Sequence, residues 1–584
     1  MSHRSYGEGT FPDCNLTLGD NTGSMDSFVN KTIPLCIMLL LNSCLLVAQK
    51  QTKKDSAEQS GVGSKFAAAD KNSDGKLGPD EITRESLVKR MDVNSDGFVS
   101  PKEVRAKATP RRKRENAAAA EASNRQVFPA NPEGEAAKRK LLATIPRIST
   151  GENRPPNIVL LFSDDLGYGD LSSHGSITIP TPNIDALGKQ GVRFSSAYAT
   201  AASCSPSRAG LMSGQYQQRF GFEFNTAGAA VTHRLHRGLD PSVVTLTDVL
   251  KRAGYVTGMF GKWHLGTQPQ FHPQARGFDE FYGFLAGAHS FFPSKGPQPI
   301  HSTVMRNKTP LIEPEYLTDA IAREAVNFIT VNQDKPFFAY VPFNAVHTPI
   351  EATEKYQDRF PDETDQTRRD YYAMTSALDD AVGSIVGALD KHGLSENTLV
   401  IFANDNGGPT YTRVQNNGPL KLGKLFLFEG GIRVPMVIKL PGKFEPGTVY
   451  DHPTSTLDLF PTICAAAGIE LPSGIKLDGV DLTPFIKGHF VGRPHKTLFW
   501  SNGPNLAVRH GNWKLVKSHD NTWLFDLGSD LSESKNTADS NPEIVERLEK
   551  LYQDWRSEMS KPAWPSKPNR RKVEVDGLTY EMNI

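Results

Sequence analysis

Cysteine is scarce in this chain: five in 584 residues, at Cys14, Cys36, Cys44, Cys204 and Cys464. Three of them fall in the first fifty positions, and the two that remain are too few for a disulfide framework. An excess of either charge is also missing. The 66 basic side chains are matched by 65 acidic ones, so no overall field draws the chain to nucleic acid. A long apolar run is missing as well. The one marked run, residues 33–48, is interrupted by Asn42 and Ser43 and falls short of the roughly 20 residues that span a bilayer.

That run suits the core of an export signal, with Lys31 before it and Met25 supplying a start of ordinary length. Residues 1–50 are read as the export segment, and the mature chain as periplasmic, cell-surface or secreted. Leu41-Asn42-Ser43-Cys44 also resembles a bacterial lipobox, which leaves a lipid anchor on Cys44 as the alternative. Residues 60–107 hold two matching loops. Asp70, Asn72, Asp74 and Glu81 occupy the first, third, fifth and twelfth positions of one; Asp92, Asn94, Asp96 and Glu103 occupy those of the other. Gly75 and Gly97 make the sharp turn, and the carbonyls of Lys76 and Phe98 take the seventh position. The pair resembles EF-hands holding structural Ca²⁺. Its loops start 22 residues apart, closer to compact dockerin-like repeats than to an ordinary two-helix hand. Residues 108–154, with Arg111-Arg112-Lys113-Arg114, read as a solvated basic linker.

The character then changes. Asn157 to Phe162 is a continuous apolar run of strand length, as a strand buried on both faces requires, and it ends in Asp164-Asp165. A second run, Thr398 to Phe402, ends in Asp405-Asn406. Ligands in open α/β sheets bind beyond the carboxyl ends of strands. The hard oxygens of Asp164, Asp165, Asp405 and Asn406 suit Ca²⁺ or Mg²⁺ there. Strand-end carboxylates also serve as plain caps and turns, so each pair alone says little.

Between them lies Cys204-Ser205-Pro206-Ser207-Arg208-Ala209-Gly210-Leu211-Met212-Ser213-Gly214. Pro206 is tolerated in the first turn of a helix, which puts Cys204 at a helix mouth that favours anions, with Arg208 one turn in. A buried structural Cys is the bland alternative. This string resembles the signature of the type I sulfatases, in the alkaline-phosphatase-like superfamily. The resemblance covers roughly residues 155 to 560 and implies oxidation of Cys204 to formylglycine by a maturation enzyme. It also implies that Asp164, Asp165, Asp405, Asn406 and the modified Cys204 hold a divalent ion. Gly261-Lys262-Trp263-His264-Leu265-Gly266 matches a further block, with Lys262 on a sulfate oxygen and His264 as the base for the hydrated aldehyde. His347, in Asn344-Ala345-Val346-His347-Thr348-Pro349, resembles the leaving-group histidine, and Lys424 the second sulfate-binding lysine. Around Lys424 the pattern departs from the family at Lys421-Leu422 and Leu425-Phe426-Leu427, which implies an altered pocket wall. His289 and Ser290 lie where relatives carry substrate contacts.

The implied fold is α/β: a large mixed sheet flanked by helices at 155–490, then a smaller α+β subdomain at 491–570, behind an N-terminal all-α EF-hand module. Short strands are expected at 498–500, 506–509, 513–517 and 523–526. A closing helix follows, with Asn541 as its cap and a stripe of Ile544, Val545, Leu548, Leu551, Tyr552 and Trp555 facing the small sheet. The implied activity is hydrolysis of sulfate esters, on a sulfated small molecule or polysaccharide and with no nucleic-acid partner. Two rivals stand beside it: a phosphodiester or phosphonate monoester hydrolase of the same superfamily, and a non-catalytic, calcium-stabilised binding protein.

Overall fold

The apolar run at 157 is a strand buried along its whole length, as is the one at 398. They belong to a computed structural model that describes residues 131–148 and 154–583, apart from positions 295, 297 and 567. The export segment, the EF-hand pair and the first part of the basic linker lie outside those residues. The strands, in chain order, are β1 (Asn157–Ser163), β2 (Val192–Phe194), β3 (Ala197–Tyr198), β4 (Val256–Lys262), β5 (Glu280–Phe284), β6 (Val304–Arg306), β7 (Thr309–Leu311), β8 (Phe337–Pro342), β9 (Thr398–Asn404), β10 (Met436–Lys439), β11 (Thr448–Tyr450), β12 (Thr454–Ser455), β13 (Thr497–Asn502), β14 (Asn505–His510), β15 (Trp513–Ser518), β16 (Asn521–Asp526), β17 (Pro568–Val575) and β18 (Leu578–Asn583).

The main sheet runs β11-β2-β10-β9-β1-β8-β4-β5-β6-β7. Its central five strands, β9-β1-β8-β4-β5, are all parallel, so their carboxyl ends share one edge. Alternate residues of β1 enter different cores. Ile158, Leu160 and Phe162 pack on the side of the Cys204–Ser213 helix, while Val159 and Leu161 pack on the side of the long Gln366–Lys391 helix. Layers on both faces explain why β1 and β9 read as unbroken apolar runs. Close approach of β4 to β8 needs a glycine. At Gly261, where φ is +134°, an added Cβ would lie 2.0 Å from the Pro342 carbonyl oxygen.

Residues 131–148 differ from the expected linker: they contain a helix, Pro132–Ala143. The Asn131 side chain accepts from the Gly134 N–H at 2.9 Å and Pro132 sits at the first helical position, so this stretch carries its own start signal. Leu141, Leu142, Ile145 and Ile148 fasten it to the core.

The small antiparallel sheet β13-β14-β15-β16 forms where short strands are expected. The Pro542–Ser557 helix lays Leu548, Tyr552 and Trp555 on one of its faces, beside Val508, Leu515 and Leu524. Asn541 occupies the N-cap position of that helix, but its side chain makes no capping bond; its amide donates to the Thr537 carbonyl at 3.0 Å. The other face takes Leu425, Phe426, Leu427 and Phe428 together with Tyr580 and Met582 of a closing hairpin, β17-β18, which runs on beyond the expected boundary at 570. The apolar departure after Lys424 is therefore core, and it does not form a pocket wall. Among the described residues, no helix is long and apolar enough to cross a membrane.

Candidate active site

Four strand ends of the parallel core deliver the side chains. β1 leads into Asp164-Asp165, β4 ends on Lys262, β8 leads to Asn344 and His347, and β9 leads into Asp405-Asn406. Asn404 ties two of these tips together. Its carboxamide oxygen accepts from the Ser163 hydroxyl at 2.9 Å, and its amide donates to the Leu166 carbonyl at 2.8 Å. Sequence reasoning misses Asn404, because only the register that sets it opposite Ser163 brings it there.

Cys204 is the first residue of the Cys204–Ser213 helix and is 1% exposed. Its Sγ lies 3.4 Å from Asp164 Oδ1 and 3.8 Å from Asp165 Oδ1. Lys424 Nζ donates to that sulfur at 3.3 Å and to Asp165 Oδ2 at 2.8 Å. Lys262 is ion-paired with Asp164. Arg208 Nε and Nη2 both donate to Asp405 Oδ2, at 3.0 and 2.9 Å, and Nη1 donates to the Lys262 carbonyl at 3.1 Å. The guanidinium is thus occupied by the strand tips, where it orients Asp405.

Three buried carboxylates, Asp164, Asp165 and Asp405, face three buried cations, Lys262, Lys424 and Arg208. Burial alone would raise all three acids. At Asp165 the neighbouring Lys424 and His347 outweigh it and hold the carboxyl well below its usual range. Arg208 and Lys262 likewise lower Asp405. Asp164 goes the other way, pushed up by burial and by Asp405. Burial and Asp405 also push the Cys204 thiol up.

Asn406 Nδ2 donates to Asp165 Oδ1 at 2.8 Å, and its buried Oδ1 has no partner. His347 turns Nδ1 to the Thr348 carbonyl at 2.6 Å and Nε2 toward Asp165 Oδ2 at 3.5 Å. Ligand atoms of Asp164, Asp165, Cys204 and His347 lie within 4.8 Å of one another. A carboxylate-rich set with an orphaned carboxamide oxygen fits a hard divalent cation. Of the five residues expected around the ion, Asp164, Asp165 and Cys204 cluster here with His347, while Asp405 Oδ1 accepts from the Asp165 N–H at 3.3 Å and Asn406 reaches Asp165 through its amide.

His264 is held by its backbone: φ is +58°, and the Ser205 hydroxyl donates to its carbonyl. Its ring lies on Gly287, where a Cβ would come within 2.4 Å of Nε2. Burial and Lys262 keep the imidazole neutral, and Nδ1 has no partner. Asn344, 1% exposed, also has both amide atoms without a partner, at the end of β8. The contacts of His289 and Ser290 run to other neighbours. The His289 ring lies tilted against Phe284, with ring centroids 5.1 Å apart, and the Ser290 hydroxyl donates to Glu351 at 2.7 Å.

The family profile described as "Sulfatase" matches residues 156–469. The chain belongs to the sulfatase family. A second profile, "N-sulphoglucosamine sulphohydrolase, C-terminal", matches residues 421–558 of this sulfatase. N-acetylgalactosamine-6-sulfatase of Rattus norvegicus is 34% identical over 422 residues, covering 68% of this chain and 78% of that one. Arylsulfatase A of Homo sapiens is 33% identical over 456 residues, covering 68% and 87%. Among solved structures, that of Ps i-CgsB in complex with k-i-k-neocarrahexaose is 37% identical with a TM-score of 0.66, covering 70% of this chain and 95% of that chain. The chain is a sulfuric ester hydrolase.

Proposed function

We propose that this sulfatase removes sulfate from a sulfated carbohydrate through a formylglycine formed at Cys204. One observation carries the reading: a buried sulfur at a helix mouth touches Asp164 and Lys424, with Asp165 close by, at the shared edge of parallel strands. Two relatives support the substrate class. One is named as an N-acetylgalactosamine-6-sulfatase, and the other was solved in complex with k-i-k-neocarrahexaose.

Asp164, Asp165, Asp405, Asn406 and residue 204 would hold Ca²⁺ or Mg²⁺, which supplies Lewis-acid stabilisation of charge on the sulfuryl oxygens. The chain's own groups do the rest. Lys262 and Lys424 bind sulfate oxygens, and Arg208 keeps Asp405 ionised and aligned. One hydroxyl of the hydrated aldehyde at 204 attacks sulfur, and the sulfur–oxygen bond to the sugar breaks. His347, with Lys424, assists the departing alcohol. Neutral His264 then takes the proton of the remaining hydroxyl, which expels sulfate and restores the aldehyde. The calcium loops at 70–81 and 92–103 and the export segment fit an extracytoplasmic enzyme with a structural calcium module.

The test is peptide mass spectrometry across residue 204 after co-expression with a formylglycine-generating enzyme, paired with aryl sulfate and aryl phosphodiester assays. An aldehyde at 204 and faster sulfate hydrolysis are expected. An intact thiol in fully active enzyme, or a clear diester preference, overturns the reading. Conversion without any hydrolase activity would favour a binding protein.

A further inference from the structure

From Leu482 to His519 the chain holds six Lys and Arg and no Asp or Glu. Three of the six have partners within the fold: Arg509 on Ser196 and Tyr198, Lys514 on Glu429 and Glu533, and Lys517 on Glu549. Lys487, Arg493 and Lys496 are exposed, and so is Arg547 on the Pro542–Ser557 helix. Arg493 Nη2 donates to the Asn512 side chain at 3.0 Å, and the Gly511 N–H donates to the Lys496 carbonyl at 3.4 Å, so both cations flank one turn. His510 leads into that turn. Burial and the charges of Arg547, Lys496 and Arg493 hold its imidazole below the ordinary value. Among the described residues no ion pair reaches these four cations; Asp458 is taken by His495.

An apolar tip stands beside this basic collar. The His489 and Phe490 N–H groups donate to the Pro484 carbonyl at 2.9 and 3.3 Å. The Phe490 ring lies against Phe485, with centroids 5.5 Å apart, and Phe485 packs on the core beside the Cys204–Ser213 helix. Fixed contacts therefore hold the tip in place, yet Phe490 is 61% exposed and Val491 fully so. On either side, a Cβ added at Gly488 or Gly492 would meet nothing within 4 Å. A single exposed apolar residue needs no explanation. Two in succession on a projecting tip, with Lys487 and Arg493 flanking them, form a membrane-interface pattern: apolar side chains enter the acyl boundary and cations meet anionic headgroups. A soluble polyanion would answer the cations and leave Phe490 and Val491 in water.

From this juxtaposition we infer that residues 487–493, with the Arg493–Lys496–Arg547 collar, form a peripheral docking surface for a bilayer that contains anionic phospholipid. Phe490 and Val491 enter the interface, and the collar lies on the headgroups. So small an apolar tip gives reversible attachment. The contact is independent of the reaction at residue 204 and governs where the enzyme works.

The processed protein, in a Cys44→Ser background that carries no acyl chain, is sedimented with vesicles of phosphatidylcholine alone or mixed with about 30% phosphatidylglycerol. Binding to the mixed vesicles is expected, and salt weakens it. Replacing Phe490→Ser and Val491→Ser together lowers the partition coefficient at least ~10-fold. Replacing Arg493→Glu and Lys496→Glu together removes the preference for phosphatidylglycerol. Both double variants keep the wild-type melting temperature and the wild-type rate on an aryl sulfate. Wild type that ignores the mixed vesicles, or binding that survives both double variants, overturns the docking surface. So does loss with the collar pair alone together with competition by dextran sulfate, which would make the patch a site for soluble polyanions. A dimer that the tip pair dissolves, without vesicle binding, would make it a contact between copies and overturn the inference equally.

Discussion

Asn406 shows how one carboxamide divides its duties: its nitrogen fixes Asp165 and its buried oxygen has no protein partner, as a ligand for a cation requires. Asn406→Ala removes both. Turnover is expected to fall at least ~100-fold, comparable to losing one preorganised catalytic donor. Bound divalent metal, read by elemental analysis after gel filtration, should fall with it, while the melting temperature moves little. Arg208→Ala has a different signature. It strands the Asp405 carboxylate inside the protein, and deletion of one partner of a buried ion pair costs about 3–5 kcal/mol. Urea denaturation should show that loss, and Arg208→Lys should recover only part of it, since an ammonium cannot donate through two nitrogens of a planar fork. At this scale the sequence is highly informative about residue type and poor about contacts. Asp164, Asp165, Asp405 and Asn406 stand out as oxygen ligands at strand ends. That Arg208 serves Asp405, and that Asn404 joins two tips, depends on which strands are neighbours, and spacing along the chain carries no such information.

Among the elements, the turn before the Leu459–Ala466 helix gathers distant chain around Asp458. That carboxylate accepts from the Ser455 and Val480 N–H groups at 2.8 and 2.9 Å and from His495 Nε2 at 2.7 Å. Burial would lower His495, but Asp458 outweighs it and raises the imidazole above its usual range. A raised histidine gives stability that is fully present below about pH 6.5, its unfolded value, and is lost as pH climbs through the higher folded value. His495→Gln should therefore lower the melting temperature clearly at pH 6 and hardly at pH 9. A larger effect at pH 9 would contradict the pairing. Gly261→Ala is expected to cost about 3 kcal/mol or more, since the new methyl group meets the Pro342 carbonyl in a region of φ that side chains avoid. Elements with a strong period are legible in the sequence: the both-faces-buried strands, the small sheet and the stripe of the last helix. The helix at 132–143 is masked by its basic surroundings, although Asn131 and Pro132 mark its start. Asn541 takes the cap position without its side-chain bond, because a side chain that can cap can equally bond back to the preceding turn.

Across the whole molecule, the main sheet and the small sheet are joined by buried charge. Lys514 Nζ on β15 lies 2.8 Å from Glu429 and 2.9 Å from Glu533, and Arg433 pairs with Glu429 at 3.1 Å. Glu429 stands five residues past Lys424, and the intervening Leu425–Phe428 is packed under the small sheet. Lys514→Met leaves two carboxylates without their shared cation and should destabilise the protein by about 3–5 kcal/mol. Because the same segment positions Lys424, activity in the surviving folded fraction should also fall, as active-site titration would reveal. A small sheet that was merely appended would lose stability alone.

The seclusion of Cys204 sets a clock. Its sulfur is sealed by an ammonium that is synthesised 220 residues later. At ribosomal rates of about 5–20 residues per second, the interval lasts roughly 10–45 s. Any macromolecular oxidant of that side chain works within this window or on a chain that has reopened, so a finished, unconverted protein mixed with such an oxidant should stay inert. Under the formylglycine mechanism proposed above, the yield of active enzyme in a cell would depend on a race between oxidation and closure.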